Sequence, residues 1–185
     1  MRICLTLPFD DSESTSASFA LPYGIAVIAS IIKEKHPSSE VFFSNNESEI
    51  LSADVICCSG LSESWDLVNQ LGEKAVNLNK RFIVGGQHVT ALPQTLRFGE
   101  CFNGPMEKID KSWPNPLPDW SIFSKDYLKH SSFTVMTSRG CHYKCKFCSS
   151  SAFWGTYIPL PVERVIAEIK QLAELGAKKI IMFDD

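Results

Sequence analysis

Over the first hundred residues, short apolar runs alternate with helical segments, and this alternation constrains the fold more than any other feature. Ala53–Ser59 (ADVICCS) is an apolar run bounded by Ser and Gly. Such a run fits a strand of a parallel sheet, buried on both faces. Arg2–Leu7, Val41–Ser44 and Arg81–Val84 read as further strands, the last ending at Gly85-Gly86. Between them, Leu21–Lys35 reads as a helix opened by Pro22, with Ile25, Ile28, Ala29 and Ile32 on one face. Leu61, Trp65, Val68, Leu71 and Ala75 recur at helical spacing. The pattern predicts a doubly wound α/β layer over residues 1–98.

Residues 99–130 break the pattern. They hold four of the ten prolines (Pro105, Pro114, Pro116, Pro118) and aromatic anchors between Trp113 and Phe123. This reads as an ordered, Pro/Trp-rich linker. Residues 131–185 then spell strand, loop, helix, strand. Phe133–Thr137 is the first strand, and Pro161–Leu175 is the helix, with apolar positions Val162, Val165, Ile166, Ile169 and Leu172. Pro161 suits the first turn and Gly176 the C-terminal cap. Lys178–Phe183 is the closing strand.

Composition excludes several classes. The 185 residues are 44% hydrophobic and 21% charged, as in ordinary globular chains. The formal net charge of -3 offers no surface for nucleic acid. The longest clean apolar run, Gly24–Ile32, is far short of a membrane span. Met1–Phe9 is too short for the apolar region of a secretory peptide. A cytoplasmic location is expected. In that compartment the seven cysteines are thiols or metal ligands rather than disulfides. Cys4, Cys57 and Cys58 read as small core residues.

Cys141, Cys145 and Cys148 stand apart, within the stretch SRGCHYKCKFC that starts at Ser138. Their spacing, C-x3-C-x2-C, puts three thiolates on one tight loop. Each is able to bind one iron of a cubane cluster, leaving a fourth iron without a protein ligand. An open metal position is where a substrate or cofactor coordinates. Arg139, Lys144 and Lys146 surround the cysteines with positive charge that favours ligation. Two other readings stay open on the residues alone: a zinc site completed by His142 or Cys101, and ordinary thiols. Zinc ribbons usually supply a second C-x2-C pair, and none is present.

The loop resembles that of the radical S-adenosylmethionine (radical SAM) enzymes, whose signature is C-x3-C-x-aromatic-C, with Phe147 in the aromatic place. Residues 137–185 resemble the first βαβ unit of that family's partial TIM-type barrel. The resemblance implies a [4Fe-4S] cluster on Cys141, Cys145 and Cys148, with SAM on the open iron and reductive cleavage of SAM to a 5′-deoxyadenosyl radical. It implies Phe147 beside the adenine. It also implies that Asp184 and Asp185, which stand in place of the family's Gly-Gly-Glu, meet the SAM amino group. An external electron donor of flavodoxin or ferredoxin type is implied as well.

The first domain resembles the cobalamin-binding, Rossmann-like domain of B12-type radical SAM proteins. Ser59-Gly60-Leu61 follows a strand in the manner of that family's S-x-L, Gly85-Gly86 follows the next, and Pro118-Asp119-Trp120 with Phe123 is like its linker. The resemblance implies cobalamin at Ser59, Leu61, Gly85 and Gly86, with His88 as a corrin or substrate contact. The family's D-x-H-x-x-G motif is missing. Its nearest counterpart, Asp11-x-Glu13-x-x-Ser16, has no histidine.

The expectation is therefore an α/β chain: a cobalamin-binding-type parallel sheet, then the opening of a radical SAM barrel. Methylation of an unactivated carbon or a rearrangement, on a small-molecule or peptide substrate, is the implied chemistry. Because the cysteine loop starts close to the end of the sequence, the barrel is expected to be incomplete. The alternative is a truncated, non-catalytic iron–sulfur or metal-binding module.

Overall fold

The structure, a computed structural model, describes residues 1–8, 22–106, 116–129 and 132–184. The readings placed on Asp11, Glu13, Ser16, Trp113, Pro114 and Asp185 lie outside those residues.

Five parallel strands form one sheet in the order β2-β1-β3-β4-β5. They are β1 (Arg2–Thr6), β2 (Glu40–Phe43), β3 (Val55–Ser59), β4 (Arg81–Gly85) and β5 (Glu100–Cys101). In register, Ile3 lies against Val41 on one side and Val55 on the other. Ile56 lies against Phe82. The chain fills one side of β1 first and then crosses to the other, so strand order reverses at β1, where open sheets form their ligand crevices. β5 carries the sheet past residue 98, into the segment read as linker. A two-pronged ion pair from Arg81 to Glu100, with both bonds at 2.8 Å, fastens it to β4.

Side-chain alternation along the strands divides the apolar residues between two cores. Cys4, Ile56, Cys58, Phe82 and Val84 point to one face. There they meet helix α2 (Glu47–Leu51), helix α3 (Trp65–Asn77) and helix α4 (Gln87–Ala91) through Ile50, Val68, Leu71, Ala75 and Val89. Leu61 starts before α3 and stays exposed. α2 and α4 are five residues each, too short to leave a periodic signature. α2 forms because the Asn46 side chain accepts the Glu49 N–H (3.1 Å), satisfying an otherwise orphaned donor.

The second core lies on the other face and reaches further along the chain. Ile3, Leu5 and Val41 meet Ile25, Ala26, Ala29 and Ile31 of helix α1 (Tyr23–Lys35). Trp120, Ile122 and Phe123, on and just after a 3-10 turn (Trp120–Ile122), are buried in the same core. Helix α5 (Lys125–Lys129) follows. The predicted linker thus supplies core residues. Its Pro116–Asp119 stretch is clamped from both sides. Ser30 of α1 donates to the Leu117 carbonyl (2.5 Å) and Asp119 donates its N–H to the Ala26 carbonyl (2.9 Å). From the other side come Arg164 to the Pro116 carbonyl (3.0 Å) and Gln171 to that of Pro118 (3.1 Å).

The remaining elements are β6 (Phe133–Val135), β7 (Ser138–Arg139), helix α6 (Ser149–Trp154), β8 (Ile158–Pro159), helix α7 (Val162–Glu174) and β9 (Ile180–Met182). β6 and β9 pair in parallel, with Thr134 against Ile181. Around α7 they make the expected strand–helix–strand unit. β7 and β8 close a small antiparallel hairpin. Helix α7 faces differently from its apolar pattern. Of the five apolar positions only Leu172 is fully buried, while Val162, Ile166 and Ile169 are exposed. Arg164 and Glu168 are buried instead, so the inward face runs 164, 168, 172. The bonds from Arg164 and Gln171 to the proline carbonyls and from the Tyr23 hydroxyl to Glu168 hold that rotation. Among the described residues no helix is long and apolar enough to cross a membrane.

This facing is directly testable. Leu172→Ala is expected to cost about 2–5 kcal/mol, whereas Ile169→Ala stays within about 0.5 kcal/mol, both read from urea-unfolding midpoints. A larger loss from Ile169→Ala than from Leu172→Ala would place the helix the other way round.

Candidate metal centre and cofactor site

The cysteine loop leaves β7 at Gly140. That residue sits at φ +70°, and a Cβ there would approach the Thr156 carbonyl oxygen to 2.5 Å and the Trp154 Cβ to 2.9 Å. Glycine is therefore required where the hairpin and α6 close on the chain. The loop ends at Cys148, the N-cap of α6, whose N–H donates to the Cys145 carbonyl (3.1 Å). Cys141 is half-buried, and Cys145 and Cys148 are exposed. Phe147 between them is 92% exposed and Tyr143 75%.

Among the described residues, no three His, Cys, Asp or Glu side chains are gathered into a metal-holding group. The donor set still suits iron. Three accessible thiols lie within eight residues on a short loop, with no carboxylate among them. The proposed zinc partners have other contacts. His142 stacks on Tyr157 with ring centroids 3.9 Å apart, and the Cys101 thiol on β5 donates to Asn103 (3.0 Å). The other cysteines are core thiols, as read. Burial pushes Cys4 up to about 12 and Cys57 to about 11, and raises the fully buried Cys58 as well. None of these three is poised to give up its proton to a metal.

Just ahead of the loop, Asp184 reaches across from the end of β9. Its carboxylate accepts from the Thr137 N–H (2.6 Å), the Thr137 hydroxyl (2.5 Å) and the Ser138 N–H (3.0 Å). Partial burial pushes its pKa up, but the Thr137 and Ser138 bonds outweigh that and hold it below the usual carboxylate value. The residue read as a SAM contact thus also braces the backbone between β6 and β7.

Arg139 is 1% exposed, its guanidinium 4.9 Å from the Tyr23 ring centre and 5.5 Å from that of Trp154. The Tyr23 hydroxyl in turn donates to the Glu168 carboxylate (2.9 and 3.0 Å to its two oxygens). Burial raises the Glu168 pKa, and Arg164, Tyr23 and Arg139 oppose that rise. Sequence reading gave Arg139 a place beside the cysteines and left Tyr23 and Glu168 out. An isolated Glu within an amphipathic helix gives no signal of burial.

At the sheet crevice, Ser59 and Gly85 end paired strands. Gly86 follows at φ +102°, where a Cβ would lie 3.0 Å from the Ser59 hydroxyl. His88 is half-buried and tied to its neighbours: its ring nitrogens bond Ser62 (2.8 Å) and Thr95 (3.1 Å), and its ring packs on Trp65 at 3.9 Å. It therefore acts as a brace between two loops. The Ser149 hydroxyl lies 3.3 Å from the Gln87 amide oxygen, which brings the start of α6 against the Gly-Gly loop.

Two outcomes follow. Gly140→Ala should destabilise the hairpin and the cysteine loop together, seen as faster protease cleavage between residues 140 and 155 than in the wild type. For Asp184, a depressed native pKa contributes stability above the unfolded value near 3.9 and loses it as pH falls through the native value. The stability gap between wild type and Asp184→Asn, measured by urea unfolding, should be constant from pH 7 to 5 and close below about pH 4.

Comparison with known proteins places this geometry. The radical SAM superfamily model matches residues 135–185. An uncharacterized methyltransferase of Pyrococcus horikoshii is 26% identical over the full chain, which covers 53% of that protein. The hopanoid C-2 methylase of Rhodopseudomonas palustris is 22% identical over 91% of this chain and 38% of its own length. A ribosomal protein uS12 methylthiotransferase of Kineococcus radiotolerans is 37% identical over 28% of this chain and 10% of its own length. The chain spans about half the length of the relative matched over its whole length, and less of the other two. The signature loop, the flanking strand–helix–strand unit and the match to the radical SAM superfamily coincide on one stretch, residues 135–185.

Proposed function

We propose that the chain is the cofactor-binding opening of a radical SAM enzyme acting in methyl or methylthio transfer. One observation carries this reading. Three accessible thiols at C-x3-C-x2-C spacing sit on a loop beside the carboxyl ends of the parallel pair β6–β9, with a bare aromatic ring among them. The names of the relatives, a methyltransferase, a methylase and a methylthiotransferase, support the reaction class.

Cys141, Cys145 and Cys148 would hold a [4Fe-4S] cluster. When bound, such a cluster supplies the electron for reductive cleavage of SAM to a 5′-deoxyadenosyl radical. The chain's own residues do the positioning. Phe147 offers its ring face to the adenine. Asp184 spends three acceptor sites on Thr137 and Ser138; a carboxylate has about four, which leaves one for the SAM amino group. The electron would come from an external donor of flavodoxin or ferredoxin type, and the substrate would be a small molecule or peptide.

Cobalamin is part of the same proposal. The small residues Ser59, Gly85 and Gly86 at the ends of β3 and β4 allow a bulky group to approach the backbone, with Leu61 exposed beside them. Because His88 is bonded through both ring nitrogens, cobalamin would be held there without a lower ligand from that histidine.

The test is anaerobic reconstitution with iron and sulfide, followed by SAM and dithionite. About four irons and four sulfides per chain, with formation of 5′-deoxyadenosine, support the reading. A cluster that never cleaves SAM supports the non-catalytic alternative. Stoichiometric zinc that iron cannot displace overturns both. Cys145→Ala should lose the cluster; a full cluster in that variant overturns the ligand assignment. A corrinoid absorption band that survives gel filtration tests the crevice.

A further inference from the structure

We propose that the buried pair Arg139 and Glu168, joined through Tyr23, tunes the reduction potential of the cluster held by Cys141, Cys145 and Cys148: Arg139 raises it and Glu168 lowers it. The inference rests on the cluster reading above and goes beyond it, since neither residue is a ligand.

The geometry behind this is specific. Arg139 lies two residues before the first ligand and is fixed on β7. Its guanidinium packs by the Tyr23 and Trp154 rings, with 1% of the residue exposed. Trp154 ends the helix that Cys148 opens, so Arg139 is next to the start of the loop in sequence and packs on the helix that follows it. Glu168, also 1% exposed, takes the Tyr23 hydroxyl on one side and Arg164 on the other (3.0 Å).

Charges buried in this way are poorly screened. Coulomb energies there exceed those in water several-fold. A cluster gains negative charge when reduced. A fixed positive charge therefore favours the reduced form and a fixed negative charge opposes it, which is one of the protein's levers on cluster potential. The direction of each effect follows from the sign of the charge. Arg139 and Glu168 are thus positioning residues with an electrostatic readout.

The experiment uses the full chain, reconstituted anaerobically, with iron and sulfide counted first. The midpoint potential is then measured at pH 8 by a dye-mediated titration followed by electron paramagnetic resonance. Glu168→Gln is the primary variant, because it keeps the volume and still accepts from Tyr23; its midpoint should rise. Arg139→Gln should lower the midpoint, and Arg139→Lys should restore it towards wild type. A Glu168→Gln midpoint that is unchanged or lower overturns the inference, as do two variants that shift in the same direction. If Arg139→Gln fails to fold, Glu168→Gln and Arg139→Lys decide alone. Failure of the wild type to take up iron and sulfide is a separate outcome. It overturns the cluster reading and this inference with it.

Discussion

Much of the arrangement depends on one buried carboxylate. Glu168 sits in a helix whose surroundings are apolar, and an ionised carboxylate in such a place is tolerated only when paired and hydrogen-bonded. Arg164 and Tyr23 meet that requirement from two different elements. Buried ion pairs add little net stability against a hydrophobic alternative, but they admit few geometries. Here the admitted geometry sets the rotation of α7, brings α1 against it and orders the proline stretch between them. A registry role of this kind accounts for charged residues occupying the inward face while aliphatic ones face out.

The alternation of apolar runs made the sheet legible. β1, β3 and β4 fall where Ile3, Ile56 and Phe82 had to be buried, and α1 and α3 follow from their spacing. The elements that escaped are short or depend on partners far away in sequence. α2 is one capped turn, and β5 is two residues held by Arg81. For α7 the periodicity was real, but the decisive partners of Arg164 and Glu168 lie at Pro116 and Tyr23, invisible to any local window.

Site residues divide in the same way. The three cysteines stand out in the sequence because their spacing is a local property. Asp184 was readable as a carboxylate at a strand's end, yet its bonds to Thr137 and Ser138 are set by tertiary pairing of β6 and β9. His88 shows the reverse: a histidine in a glycine-rich loop invites a ligand role, and its neighbours Ser62, Thr95 and Trp65 occupy it fully. The Gln87–Ser149 contact joins the crevice loop to the cysteine loop, so two sites that are far apart in sequence share a wall.

The two cores also differ in when they can close. One is complete once residue 89 has emerged, since its buried members run from Cys4 to Val89. The other needs Leu172, about 80 residues later. At roughly 5–20 residues per second of synthesis, the second core gains Leu172 on the order of 4–16 s after the first is complete. For that interval one core is finished, while the other has α1 against the sheet but lacks the cover of α7. The cysteine loop is therefore made while the second core is still incomplete.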